Sequence, residues 1–147
     1  MMFFEVNGVG FSYGSRRVLE GVSFAVNVDE VVSILGPNGV GKTTLIKCID
    51  KVLKPAAGSV SIEGLDLHRM SKKEIAKNLG YVAQRSETSK TTVFDSVLLG
   101  RKPHFDWNAT EKDVRLVGRV IHLLGLDALA LKYVDEISGG EYQLVQI

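Results

Sequence analysis

The sequence predicts an α/β fold, and three observations carry that prediction: a first third patterned as β-strands, an apolar run that meets a helix across a glycine-rich turn, and a second half with helical periodicity. Phe3–Val6, Val18–Leu19 and Val22–Val28 are rich in β-branched and aromatic residues and are broken by Gly8, Gly10, Gly14 and Gly21, so they read as short strands. Val31–Leu35 is nearly continuous in apolar residues, which suits a strand buried on both faces, as in a parallel sheet. After the turn at Gly36–Gly41, the segment Thr44–Leu53 places Leu45, Ile46, Ile49, Val52 and Leu53 at helical spacing. Pro55–Gly58 interrupts the chain, and Ser59–Ile62 alternates as a strand does. Ser71 and Glu74 have the spacing of a capping box and precede Ile75, Ala76 and Leu79. Tyr81–Val82 suits a short strand, and Thr92–Gly100 reads as a helix around Val93, Val97 and Leu98. Thr110 opens a further helix with Val114, Val117, Ile121 and Leu124 on one stripe, and Ser138 with Glu141 repeats the capping-box spacing at the last.

Composition narrows the function classes. The chain has 147 residues, 45% hydrophobic and 24% charged, which fits one globular domain with a real core and argues against disorder, collagen or coiled coil. Eighteen Lys and Arg against seventeen Asp and Glu leave a net charge of +1, too small a field to argue for a nucleic-acid partner. Cys48 stands alone, which suits a reducing compartment, and the helical position behind the glycine turn suits a buried structural thiol. The N-terminus lacks the pattern of a signal peptide. The most membrane-like stretch, Val120–Val134, is broken by His122, Asp127 and Lys132, so a soluble chain is expected. His68, His104 and His122 have no metal-ligand spacing, and the pairs Lys72–Lys73 and Arg101–Lys102 read as solvated charge.

The sharpest chemical signal is Gly36-Pro37-Asn38-Gly39-Val40-Gly41-Lys42-Thr43, which fits G-x-x-x-x-G-K-[ST] and lies between an apolar run and a helix. Glycines at this spacing let successive amides turn inward to form an anion nest, and the following helix adds its positive end. Lys42 supplies a compact cation for β- and γ-phosphates, and the Thr43 hydroxyl is suited to Mg²⁺. A guanine-reading Asn-Lys-x-Asp is absent. A second glycine-rich helix start, Ser138-Gly139-Gly140-Glu141, leaves amides bare for an anion, and its distance along the chain suggests that it serves a different nucleotide from the first.

Together these motifs resemble the ATP-binding subunit of an ATP-binding cassette (ABC) transporter. Gly36–Thr43 resembles the Walker A loop of that family, and Ile137–Glu141 followed by Tyr142 and Gln143 resembles its signature motif, with Ile137 in place of the usual leucine. Gln84, after Tyr81-Val82-Ala83, resembles the Q-loop glutamine, and Tyr13 resembles the aromatic residue that stacks on adenine, with Val18 flanking it. The resemblance implies a P-loop NTPase core with an antiparallel β subdomain and a helical subdomain, divided as 1–84 and 85–147 and incomplete at the C-terminus. It implies ATP and Mg²⁺ as ligands, held by Tyr13, Val18, Gly36, Asn38, Gly39, Gly41, Lys42, Thr43 and Thr44, with Ser138, Gly139 and Gly140 facing the nucleotide of a second subunit. Lys42 and Gln84 take the catalytic roles, and Thr43 and Gln84 the metal.

The family continues past its signature motif into Walker B, whose acidic residues hold Mg²⁺ and orient the attacking water. Tyr133-Val134-Asp135-Glu136 also ends in Asp-Glu, but Lys132 interrupts the apolar run and the segment precedes the signature. The expectation is therefore a parent protein that hydrolyses ATP and a chain that at most binds it. Thr92–Arg101 with Pro103 and His104 resembles importers of iron–siderophore complexes, haem and cobalamin. The implied partners are a second ABC subunit and transmembrane permease subunits at the inner face of the cell membrane, with no nucleic acid. Alternative readings are a non-transport ABC ATPase of DNA repair or translation, or a nucleotide-binding module without hydrolysis. The lack of a sustained heptad pattern between Gln84 and Ser138 counts against the DNA-repair relatives.

Overall fold

The computed structural model describes residues 2–83 and 90–147. The chain divides into two compact units, Met1–Ile75 and Ala76–Ile147.

The first unit is built on a long antiparallel hairpin. Strands β1 (Met2–Tyr13) and β2 (Arg16–Asn27) pair along their length, and β3 (Ala57–Ile62) and the short β4 (Leu65–Asp66) complete a four-stranded antiparallel sheet in the order β2-β1-β3-β4. Of the glycines expected to break these strands, Gly14 does so, in the turn between β1 and β2, whereas Gly8, Gly10 and Gly21 lie within them. Gly8 and Gly21 take positive φ inside the ladder, and the register slips between Val6 and Val9, so the extra residues are absorbed as bulges. The Gly8 amide donates to Ser23 Oγ at 2.8 Å across that irregularity. At Gly58 a Cβ would collide with the backbone of Asn7 and Gly8, so only glycine lets β3 approach β1 this closely. Val6, Val9, Phe11, Leu19, Val60 and Ile62 are buried.

The apolar run Val31–Leu35 does not form the expected strand. It has no regular structure, and Val31 and Leu35 are 95% and 88% exposed. A strand gains stability only from a neighbour that completes its ladder. Among the described residues no strand pairs with this run. Tyr81–Val82 is likewise irregular and exposed.

Helix α1 (Lys42–Ile49) begins as expected but stops short of Leu53. Lys51 takes φ 55° beyond its end, a left-handed conformation that a helix cannot continue. Its ammonium donates to the carbonyls of Leu67 (3.0 Å), His68 (3.3 Å) and Met70 (2.8 Å), which offsets that strain and ties the helix end to the turn after β4. Helix α2 (Lys72–Asn78) starts with both arms of the Ser71–Glu74 capping box in place.

The second unit is helical: α3 (Val93–Leu99), α4 (Glu111–Leu123) and α5 (Gly139–Val145). Its core is Val93, Val117, Ile121, Leu126, Val134 and Val145. Burying each such side chain contributes about 1.5–3 kcal/mol. Each helix cap is worth about 1 kcal/mol. Packing therefore holds the unit together, and the caps decide where its helices start. Thr110 and Ser138 cap α4 and α5 where the sequence has those helices start, and Thr92 caps α3. Val114, expected on the apolar stripe of α4, is instead 44% exposed. Among the described residues no helix is long and apolar enough to cross a membrane.

Candidate functional site

The phosphate-loop sequence closes around its own lysine. Gly36, Gly39 and Gly41 take φ of 153°, 81° and 108°, and Lys42 Nζ donates to the carbonyls of Gly36 (2.7 Å) and Pro37 (2.8 Å). Gly41 is the N-cap of α1. A Cβ there would stand 3.0 Å from Val18 Cγ1 and 3.1 Å from Leu19 Cδ2, so the loop is seated directly on β2. Val18, expected beside the nucleotide, is thereby placed against the loop.

The first turn of α1 is electrostatically open. No side chain caps it, and it contains no acidic residue, so nothing on its own helix competes for the positive end. Asn38 and Thr43 are exposed, while Thr44 faces the interior. Farther along, Cys48 is buried and burial pushes its thiol pKa up, which leaves it a packed, unreactive group. Asp50 at the helix end is also pushed up by burial. This donor set fits a polyphosphate: bare amides, a cation within the loop and a hydroxyl at the first turn.

Tyr13 ends β1 at the hairpin tip, 52% exposed, with its ring edge-on to Phe11 at 4.9 Å. Packing on Phe11 holds the ring while leaving a face for stacking. Gln84 lies outside the described residues.

In the second unit, Ser138 Oγ accepts from the Glu141 amide at 3.4 Å, and Glu141 Oε2 accepts from the Ser138 amide at 2.7 Å. These bonds hold the Glu141 carboxyl below its ordinary range. Gly139 and Gly140 face open space. The rival Asp-Glu segment is structural: Glu136 accepts from the Tyr133 amide at 3.0 Å, Val134 is buried and bonded to Thr91, and Thr92 bridges Tyr133.

The profile of the ABC transporter family matches residues 19–147. The chain belongs to the ABC transporter family. It is 49% identical over 147 residues to an uncharacterized ABC transporter ATP-binding protein of Methanocaldococcus jannaschii, covering 100% of this chain and 58% of that protein. It is 31% identical over 140 residues to the petrobactin import ATP-binding protein of Bacillus subtilis, covering 95% of this chain and 56% of that one. A nucleotide-free ATP-binding cassette from an ABC transporter superposes with a TM-score of 0.87 at 28% identity, over 99% of this chain and 63% of that structure. The chain thus spans a little over half the length of these relatives. The ABC ATPase fold accounts for the β sheet and the helical unit seen here.

Two residues gain roles that the sequence does not advertise. Arg101, expected to be solvated, donates through Nε and Nη2 to the buried Asp113 at 3.1 Å. The Thr110 amide and hydroxyl also donate to Asp113, at 3.0 and 2.6 Å, and chiefly these Thr110 bonds lower its pKa to about 2. Lys51 is the other. Neither lies in a recognisable motif, since each depends on a partner brought in by folding.

Proposed function

We infer that this chain binds Mg-ATP through Gly36–Thr43 as part of an ATP-hydrolysing subunit that energises membrane import, of iron complexes or cobalamin. The observation that carries the reading is the glycine loop folded around Lys42 at the uncapped start of α1. In this reading Lys42 exchanges its loop carbonyls for phosphate oxygens, and the amides of α1 take the remaining charge. Thr43, with Gln84, would hold Mg²⁺, which neutralises charge building on the β/γ oxygens. Thr44 lies behind them, Gly36, Asn38, Gly39 and Gly41 shape the nest, and Tyr13 with Val18 receives the adenine. Ser138, Gly139 and Gly140 would face the nucleotide of a second subunit, and transmembrane permease subunits would be the remaining partners. The cargo assignment is supported by relatives named for petrobactin, iron(3+)-hydroxamate and cobalamin import. Hydrolysis is assigned to the whole protein, of which this chain spans a little over half in its relatives.

Titrating the chain with Mg-ATP tests the nucleotide reading. Wild type should bind, and Lys42→Ala should weaken binding by at least a hundredfold while the far-ultraviolet spectrum stays unchanged. Equal affinity in the two proteins would refute the assignment.

A further inference from the structure

The second unit carries a surface that nucleotide binding does not use. Trp107 is 92% exposed, although the segment that presents it is braced. Asp113 takes Arg101 on one carboxylate oxygen and Thr110 on the other, so both ends of the stretch from 101 to 110 are fastened to one buried group. Within it, Lys102 Nζ lies 5.3 Å from the Phe105 ring centroid. The indole is therefore held out in water by an ordered support, at the loss of its own burial.

Three residues after Trp107, Thr110 caps α4, whose outer face is cationic. Lys112, Arg119 and Leu123 fall at i, i+7 and i+11 and share one line along the helix, with Arg115 beside them. All are exposed, Leu123 at 83%. On α4 itself three exposed cations stand against one exposed carboxylate, Glu111, which is paired with Arg115 at 2.8 Å. A bare leucine that closes a line of cations, about 18 Å along the helix from the end that follows a bare tryptophan flanked by Asp106 and Asn108, does not describe a single apolar pocket-filling anchor. It matches the chemistry of a bilayer interface, where indoles sit at headgroup level and Lys and Arg meet lipid phosphates.

We propose that the braced Trp107 segment and the Lys112–Arg115–Arg119 face of α4 form a contact surface for anionic lipid headgroups. The contact is independent of the phosphate loop, so its failure and the failure of ATP binding are separate results. Trp107 is the one tryptophan of the chain, which makes its emission a direct reporter. Vesicles of phosphatidylcholine with phosphatidylglycerol should shift that emission to the blue at low salt, and the shift should fade at high salt. Pure phosphatidylcholine vesicles and inorganic phosphate should leave it unmoved. Charge reversal with Lys112→Glu and Arg119→Glu together should lower the vesicle partition coefficient more than tenfold without changing the thermal midpoint by more than a few degrees. Leu123→Ser should weaken it by less. Emission unmoved by either vesicle type would overturn the proposal and leave the surface to a protein partner. An equal shift on neutral vesicles would overturn the electrostatic half, and a shift with phosphate alone would overturn the lipid source.

Discussion

Two helices of this protein start on glycine-rich turns, and they use them in opposite ways. At α1 the cap is Gly41 in a left-handed conformation, no side chain satisfies the first turn, and an ammonium is folded into the approach. At α5 the cap is Ser138, and its reciprocal bonds with Glu141 satisfy one amide at the helix start and the cap's own. The first end keeps its positive field unneutralised by any capping or acidic side chain of its first turn. The second has settled its own chemistry, and what it still offers is the open space over Gly139 and Gly140. Glycine content alone therefore does not make an anion site; the capping state decides how much of the helix end is left to use.

The largest expected effect comes from closing the first turn sterically. Gly41→Val places a β-branched residue at φ 108° against Val18 and Leu19. Strain and overpacking together should cost about 2–4 kcal/mol, read as a fall in the denaturation midpoint, and ATP binding should be lost with it. The same substitution at Gly139 meets no neighbour within 4 Å and should leave the fold intact. Similar losses at both sites would erase the contrast between them.

A second test uses pH on the second unit. The Asp113 carboxyl is held at about 2, below its ordinary 3.8, so the folded chain binds that proton less readily than the unfolded one. Its stabilisation is then complete above about pH 4 and lost as the pH falls toward 2. Thermal midpoints of wild type and Asp113→Asn should differ at neutral pH and converge over that acid range. A constant gap would contradict the role of its charge.

Smaller still is the loss of the second cap. Ser138→Ala should destabilise the helical unit by about 1 kcal/mol in the absence of any nucleotide, whereas removing Lys42 should register mainly in ligand binding. Smallest is Gly118→Ala, on the exposed face of α4 with nothing within 4 Å of the new methyl. It should stabilise by about 0.5–1 kcal/mol, measured by chemical denaturation.

What the sequence discloses follows the range of the interactions involved. The Ser71, Thr110 and Ser138 caps and the phosphate loop are legible because each is written within about eight residues of chain and closes on itself. Val31–Leu35 carries an equally plain strand pattern and forms none, because a ladder needs a partner from elsewhere. Gly8 and Gly21 read as breaks and prove to be bulges, since a neighbouring strand tolerates the slip in register. Arg101 reads as solvated charge until Asp113, twelve residues on, is folded beneath it.

Affinity across a series of nucleotides with successively fewer phosphates interrogates the loop most directly. Equilibrium titration of the chain with the Mg²⁺ complexes of ATP, ADP and AMP should give clear binding for the first two and at least a hundredfold loss for AMP, which cannot reach Lys42 with a β-phosphate. Equal affinity for all three would mean that Gly36–Thr43 does not hold the phosphate chain.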